Sequence, residues 1–299
     1  MAAPDRPQEL TRRLDAEIVV PAQCELAEGP VWDAHRGLLR WVDILPGHVH
    51  ALDPATGAHT WFDAGHPVGT VGLTRSGGLV LALADRFALA DHDGQNSRRL
   101  GEFTVDRSVF RFNDGKPDPW GNFCAGTCTW AHGGPPCGLY RLRPHGAVGE
   151  IVGDVGLSNG LDWSDDHTAF YFADSATGGV DVFDTDPETG ALGARRRFVT
   201  VGGVPDGLTL DAEGARWVAV WDSAELRRYT PQGQLDTVVS LPVSQVTSAA
   251  FGGADLGTLY ITTARENFTP ADLREQPHAG DIFACTPGVP GRPPFLFAA

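Results

Sequence analysis

A short polar step leading into an apolar strand recurs along this chain, and its side chains together could hold a cation. The step reads Glu28-Gly29-Pro30, then Asn113-Asp114-Gly115, then Ser158-Asn159-Gly160, and finally Pro205-Asp206-Gly207. The steps recur at multiples of about 45 residues, a spacing typical of propeller blades. If each repeat is one blade, the polar residues occupy the same place in each blade and meet around a central axis.

The gathered side chains would offer only oxygen ligands. The set comprises Glu28, Asn113 or Asp114, Asn159 and Asp206. Oxygen ligands suit a hard cation such as Ca²⁺, Mg²⁺ or Mn²⁺, with water at the remaining positions. Without a cation, two carboxylates buried together would repel each other and one would keep a proton. The pattern therefore predicts a divalent metal site.

Each step taken alone is also explained as a tight turn, because Asn-Gly and Asp-Gly are strong turn signals. The second and sixth repeats carry Pro67-Val68-Gly69 and Val246-Thr247-Ser248 at the corresponding places, so the polar ring is not a uniform structural repeat. Four polar steps in phase, each opening a strand, favour a site over four unrelated turns.

Six repeats of four short strands with apolar alternation predict an all-β fold, a six-bladed β-propeller with a central metal site. We expect residues 1–16 to be an N-terminal tail and residues 17–299 to form a single propeller domain. Ile18-Val19-Val20 should close the ring by pairing with the last blade. Residues 294–297 are predicted as a strand of the sixth repeat. Residues 269–275 are predicted as a short helix capped by Thr269.

Composition limits the partners and the compartment. The 299 residues carry a net charge of −15 and the pI is about 4.9, which argues against nucleic acid and anionic membrane surfaces as partners. The five cysteines are an odd number without zinc-type spacing, and residues 1–17 lack the apolar core of a signal peptide. These features predict a cytoplasmic protein with reduced thiols and no membrane partner. They leave the oligomeric state open.

Several blocks resemble the signatures of the SMP-30/gluconolactonase/regucalcin-like family. They are residues 28–32 (Glu-Gly-Pro-Val-Trp), 111–116 (Arg-Phe-Asn-Asp-Gly-Lys), 158–163 (Ser-Asn-Gly-Leu-Asp-Trp) and 205–207 (Pro-Asp-Gly). The stretch from Phe251 to Arg265 is similar to bacterial sugar lactonases of that family. The resemblance extends over roughly residues 17–298.

The resemblance implies roles for particular residues. Glu28, Asn159 and Asp206 match the ligands of one divalent metal, for which Ca²⁺ is expected first and Mg²⁺, Mn²⁺ or Zn²⁺ are alternatives. Arg111 and Asn113 match the substrate-binding block. The chain departs from the animal members at Trp130, where those proteins carry a glutamate that binds a substrate hydroxyl. Trp130 is therefore expected to line a more apolar part of the pocket.

The implied activity is the hydrolytic opening of a sugar (aldono-)lactone to the sugar acid, as in gluconolactonases. Asp206 is the candidate general base, and a hydroxide held by the metal is the competing nucleophile. Two other functions remain open. One is a metal-dependent esterase or phosphotriesterase acting on a less polar substrate, which Trp130 would suit. The other is a non-catalytic propeller that serves as a binding protein.

Overall fold

The computed structural model describes residues 11–131 and 133–299. Residues 1–10 of the predicted tail therefore lie outside the described part of the chain, as does His132. Two short strands come first, β1 (Arg12–Asp15) and β2 (Glu17–Val20).

Six antiparallel sheets follow in chain order, and each is one blade of a propeller. Blade 1 contains β3 (Ala27–Asp33), β4 (Leu38–Asp43), β5 (His48–Asp53) and β6 (Ala58–Asp63). Blade 2 contains β7 (Val68–Leu73), β8 (Leu79–Leu83), β9 (Arg86–Ala90) and β10 (Arg98–Arg99). Blade 3 contains β11 (Phe110–Pro117), β12 (Phe123–Thr129), β13 (Cys137–Leu142) and β14 (Val148–Val155). Blade 4 contains β15 (Ser158–Trp163), β16 (Ala169–Asp174), β17 (Gly179–Thr185) and β18 (Leu192–Thr200). Blade 5 contains β19 (Val204–Leu210), β20 (Arg216–Trp221), β21 (Glu225–Tyr229) and β22 (Leu235–Ser240). Blade 6 contains β23 (Val246–Gly252), β24 (Thr258–Thr263) and β25 (Ile282–Cys285), and the predicted six-bladed all-β fold is thereby confirmed.

Turn residues set the strand boundaries locally. After β5, the side chain of Asp53 accepts a hydrogen bond from Ala55 N at 2.9 Å, and Gly57 ends the turn with a φ of 73°. Asp186 and Gly190 do the same after β17, with a 2.9 Å bond from Glu188 N and a φ of 71°. An aspartate that caps its own turn and a glycine that accepts a positive φ explain why the strands stop there.

The first strand of every blade is broken by a β-bulge at the same place. The ladder register shifts between Glu28 and Val31 in β3 and between Ser158 and Leu161 in β15. Equivalent shifts occur in β7, β11, β19 and β23. The predicted polar steps coincide with these bulges, so the phase inferred from the sequence corresponds to one structural position repeated around the axis.

The apolar core is divided into six clusters, one between each pair of neighbouring blades. Trp41, Trp163 and Trp217 are among the largest fully buried side chains. Burial of a large apolar side chain contributes about 1.5–3 kcal/mol relative to exposure. The blades therefore hold one another face to face, and their inner edges can carry polar groups.

The ring closes as the sequence predicts. Strand β2 pairs antiparallel with β25, with Ile18 opposite Phe283, and supplies the outer strand of blade 6. Strand β1 adds to blade 5 by pairing parallel with β22, so residues 12–15 of the expected tail belong to the propeller.

The prediction of a blade 6 strand at residues 294–297 is wrong. That sheet edge is occupied by β2, and Pro294 has no N–H to donate to a ladder. The segment instead runs to blade 2, where Phe297 N donates to Leu73 O and Arg75 N donates to Phe297 O, both at 2.9 Å.

The predicted helix is present as α1 (Pro270–Glu275), inserted between β24 and β25. Thr269 caps it, and Asp272 completes a capping box by accepting from Thr269 N at 2.7 Å. Among the described residues, no helix has the length and hydropathy needed to span a membrane.

Candidate active site

The bulges bring four predicted polar residues to one mouth of the central channel. Glu28, Asn113, Asn159 and Asp206 all line a cavity of about 420 Å³, together with Arg111. All five side chains are at most 5% exposed. The structure thus brings together the three predicted metal ligands and two of the three predicted substrate-binding residues.

Glycines at the same step let the innermost strands approach closely. A Cβ on Gly160 would lie 2.3 Å from Leu208 N in the next blade, and a Cβ on Gly207 would lie 2.1 Å from Ser248 Oγ. Any side chain there would force neighbouring blades apart. The glycine after Asn159 and the glycine after Asp206 therefore serve close packing of the ring around the polar side chains.

Glu28 and Asp206 have perturbed acidity because they are buried near other carboxyl groups. Burial, followed by the carboxyls of Asp206 and Asp114, raises the pKa of Glu28 well above its usual value. Burial and Asp114 likewise raise the pKa of Asp206 well above its usual value, although Arg111 opposes the shift. A divalent cation would relieve this repulsion and let both groups ionise.

Asn159 is oriented by a chain of hydrogen bonds. Ser175 Oγ donates to the carbonyl oxygen of Pro205 at 2.6 Å, because a carbonyl can only accept. The hydroxyl oxygen of Ser175 in turn accepts from Asn159 Nδ2 at 3.0 Å. The amide oxygen of Asn159 is thereby turned away from Ser175. It is buried and has no hydrogen-bond partner among the described residues.

The unpaired oxygen of Asn159 bears on whether these residues could hold a metal ion. A buried acceptor without a partner is costly, and ligation of a cation would satisfy it. Asn159 Oδ1 belongs to a cavity that also contains the carboxylates of Glu28 and Asp206. Three oxygen donors of this kind fit a hard divalent cation.

Arg111 and Asn113 form one unit beside these donors. Arg111 Nη1 donates to Asn113 Oδ1 at 2.6 Å and to the carbonyl of Phe112 at 3.2 Å. Asn113 Nδ2 donates to Ser158 O at 2.9 Å and ties the side chain to blade 4. The guanidinium keeps other N–H groups that can donate to a ligand in the cavity.

Asp114 and Trp130 lie outside this cavity. Asp114 faces the channel interior near Lys116, and burial raises its pKa to about 6 despite that lysine. Trp130 is 40% exposed, with its ring centroid 5.7 Å from Arg111 Cζ and its Nε1 donating to Arg107 O. Trp130 is therefore a neighbour of Arg111, and its predicted contact with substrate stays a prediction.

Sequence reasoning missed several residues at the mouth. Ser175, Asp222 and Glu266 also line the cavity. Each follows the second strand of its blade, and that strand ends beside the start of the innermost strand, as the pairing of Ser158 with Asp174 illustrates. The rule that residues after a second strand face this mouth could have found them. Trp130 also follows the second strand of its blade, β12, but it does not line this cavity.

The protein is a six-bladed all-β propeller with a buried glutamate, asparagine and aspartate at one mouth of its channel, and comparison with known proteins identifies the family. The model described as "SMP-30/Gluconolactonase/LRE-like region" matches residues 26–265. The chain belongs to this family, which confirms the resemblance found in the sequence blocks.

Individual relatives match along nearly their whole length. Regucalcin of Oryctolagus cuniculus is 38% identical over 295 residues, covering 94% of this chain and 98% of the relative. The 6-deoxy-6-sulfogluconolactonase of Pseudomonas putida is 37% identical over 283 residues, with coverages of 94% and 97%. The crystal structure of the calcium-binding protein regucalcin from Agrobacterium tumefaciens superposes with a TM-score of 0.91 at 26% identity, covering 97% of this chain and all of that one.

Proposed function

We propose that this protein is a divalent-metal-dependent lactonase that opens an uncharged sugar (aldono-)lactone to the sugar acid. The observation that carries the proposal is the convergence of Glu28, Asp206 and the unpaired amide oxygen of Asn159 on one cavity. Within residues 11–131 and 133–299, neither carboxylate forms an ion pair with a protein cation. A bound cation would supply the missing charge.

Relatives support the reaction class and the ion. The Pseudomonas putida relative is named a sulfogluconolactonase, and the Agrobacterium tumefaciens neighbour is described as calcium-binding. Glu28, Asn159 and Asp206 would hold one divalent ion, with Ca²⁺ as the first candidate because all three donors are oxygens. When bound, the cation polarises the lactone carbonyl and stabilises negative charge on its oxygen.

Asp206 would transfer the proton in this reaction, and Arg111 would orient the substrate. Asp206 accepts a proton as a water oxygen attacks the carbonyl carbon. The bond from that carbon to the ring oxygen then breaks, and the proton passes to the ring oxygen, which becomes a hydroxyl. Arg111 donates hydrogen bonds to substrate oxygens and holds the ring in register with Asp206.

The charge of the cavity supports an uncharged substrate. Four carboxylates line it, those of Glu28, Asp206, Asp222 and Glu266, and Arg111 is the single cationic side chain among the described lining residues. Even with a divalent cation bound, the lining keeps a net negative charge. An uncharged lactone enters without repulsion, and the sugar acid formed from it is repelled.

The compartment is inferred from the thiols. All five cysteines are free, and four of them are buried. Free thiols suit a reducing compartment, which supports action in the cytoplasm.

The test uses protein stripped with EDTA and returned to Ca²⁺, Mg²⁺, Mn²⁺ or Zn²⁺, with proton release measured on a panel of aldonolactones, aryl esters and organophosphates. We expect metal-restored hydrolysis of at least one aldonolactone. Hydrolysis of aryl esters or organophosphates without any lactone would replace the proposal with the esterase alternative. Metal binding without hydrolysis in any group would favour a binding protein.

A further inference from the structure

A second group of metal-type ligands lies away from the central cavity, at the seam where the ring closes. Cys24, Asp43 and His50 each offer one ligand atom, and these atoms lie within 4.8 Å of one another. Their exposures are 2%, 6% and 5%. Cys24 lies on the crossing from β2 to β3, Asp43 ends β4, and His50 lies in β5.

The imidazole of His50 is held in one orientation. Its Nδ1 lies 2.9 Å from His59 Nε2, and its ring stacks on Trp41 with centroids 5.0 Å apart. This leaves Nε2 facing Cys24 Sγ at 4.0 Å. A metal-binding histidine commonly has its other ring nitrogen engaged in this way. Burial and the neighbouring His59 and His48 lower the pKa of His50 to about 3, so the ring is neutral and can act as a ligand.

The spacing is close to that of a zinc site. Bond lengths of about 2.3 Å to sulfur and 2.05 Å to nitrogen in a tetrahedron place the two atoms about 3.6 Å apart. The observed 4.0 Å therefore needs a shift of only a few tenths of an ångström. Sulfur, nitrogen and oxygen donors together suit Zn²⁺ and do not suit Ca²⁺.

Asp43 is buried because it caps a loop, but this role does not account for the buried Cys24 and His50 beside it. Asp43 accepts from Leu26 N at 2.9 Å and from Glu25 N at 3.0 Å. Asp174 has the same place in blade 4 and caps its loop in the same way. In blade 4 the position of His50 is taken by Asp181, which pairs with arginines. Blade 4 thus caps its loop without the imidazole found in blade 1, and the Asp43 oxygens keep further lone pairs for a ligand.

We propose that Cys24, Asp43 and His50 form a second metal site, for Zn²⁺ or a similar thiolate-binding divalent ion, with water in the fourth position. The site joins the two sides of the ring closure. The crossing segment is fastened to the blade 6 side, where Cys24 N donates to Gly280 O at 2.8 Å and Gln23 N donates to Asp281 Oδ1 at 3.1 Å. Asp43 and His50 belong to blade 1. A metal bound there links the last blade to the first and stabilises the closed ring.

Binding at this site releases a proton, because a cysteine binds a metal ion as the thiolate and the thiol proton leaves as the sulfur–metal bond forms.

The experiment is a Co²⁺ titration of the stripped full-length protein, followed by near-ultraviolet absorption. A sulfur-to-cobalt charge-transfer band arises only from thiolate ligation, so the central oxygen site cannot produce it. We expect the band to grow with about one equivalent of Co²⁺ and Zn²⁺ to abolish it by displacement. The band should persist in Asp206→Asn, which alters the central site, and in Cys285→Ser, which removes a different thiol. It should be lost in Cys24→Ser.

The wild-type spectrum alone can overturn the proposal, whatever the folding of the variants. Absence of the band in protein saturated with Co²⁺, or its persistence in Cys24→Ser, would show that Cys24 is not a ligand. A thermal melt gives a second readout. The melt is made in the Asp206→Asn background, in which the central site is altered. There Zn²⁺ should raise the melting temperature by several degrees, and it should leave the double variant Cys24→Ser/Asp206→Asn unchanged. None of these readouts depends on lactone hydrolysis.

Discussion

Ser175 fixes the direction of Asn159 in the candidate metal site. Ser175 Oγ donates to Pro205 O at 2.6 Å and accepts from Asn159 Nδ2 at 3.0 Å, which turns the amide oxygen away from Ser175. Ser175 comes from the loop after the second strand of blade 4, and Asn159 comes from the bulge in its first strand. One blade thus supplies both a proposed metal ligand and the group that orients it.

Replacing Ser175 with alanine should weaken the metal site without removing a ligand. The amide of Asn159 loses its partner and can rotate, so metal affinity should fall about 10- to 100-fold, while turnover at saturating metal stays close to wild type. Activity measured against metal concentration separates the two effects. Thr177→Ala is the matched control, because Thr177 Oγ1 donates to Asp174 O in the same turn and does not contact Asn159. An unchanged metal affinity in Ser175→Ala would contradict this role.

Replacing Arg111 with glutamine should impair substrate binding. The variant loses a charged donor in the cavity, and kcat/KM for an aldonolactone should fall about 10- to 100-fold, mainly through KM. Steady-state kinetics at saturating metal measures the effect. Trp130→Phe is the comparison, since it keeps a ring beside Arg111 and removes only the hydrogen bond to Arg107 O. An equal rise of KM in Trp130→Phe would restore Trp130 as a substrate contact.

The metal-free protein should lose stability as pH rises. The pKa of Glu28 and that of Asp206 are raised well above their usual values, and the pKa of Asp114 is raised to about 6. A raised folded-state pKa gives stability that is full below the unfolded value of about 4 and is lost as pH passes through the folded value.

Thermal melts of the stripped protein, made from about pH 4 to above pH 6, test that expectation. The melting temperature should fall with increasing pH through 6 and beyond, and saturating Ca²⁺ should remove most of the fall, because the cation favours the ionised carboxylates. Asp114→Asn should flatten the part of the curve near pH 6. A melting temperature that rises with pH in stripped protein would contradict the assigned directions.

Glu266 should help to exclude anionic lactones. It lines the cavity and, with Asp222, adds negative charge at the mouth. Glu266→Gln should raise kcat/KM for a sulfonated or phosphorylated lactone roughly 3- to 10-fold relative to the uncharged lactone, and added salt should shrink the difference. Glu188→Gln, at an exposed turn of blade 4, is the control. If the ratio of kcat/KM for the anionic lactone to kcat/KM for the uncharged lactone is the same in wild type and Glu266→Gln, Glu266 has no electrostatic role in selecting the substrate.

Local signals in the sequence predicted much of the fold. The bulged steps of the innermost strands, the closing strand at Ile18–Val20 and the capped helix at Thr269 each follow from a few adjacent residues. The three proposed metal ligands could be grouped because they share one phase of a repeat. These features are encoded in short stretches, so they can be predicted without knowledge of tertiary contacts.

Other features depend on contacts between distant parts of the chain. Residues 294–297 have strand-like composition, but the edge they would occupy is taken by β2. Ser175 and Glu266 reach the cavity through the direction of second strands, which is a property of topology. Cys24 and His50 come together at the seam between blades, and their spacing in the sequence does not predict that contact.

The most direct test measures Ca²⁺ binding and aldonolactone hydrolysis on the same stripped preparation, for wild type, Glu28→Gln and Asp206→Asn. Wild type should bind Ca²⁺ and regain turnover, and Glu28→Gln should need far more Ca²⁺ to do so. Asp206→Asn, in protein shown to hold metal, should lose about 10²- to 10⁴-fold in turnover because its base is gone. Near-normal hydrolysis by metal-loaded Asp206→Asn, or full turnover by stripped wild type, would contradict the account.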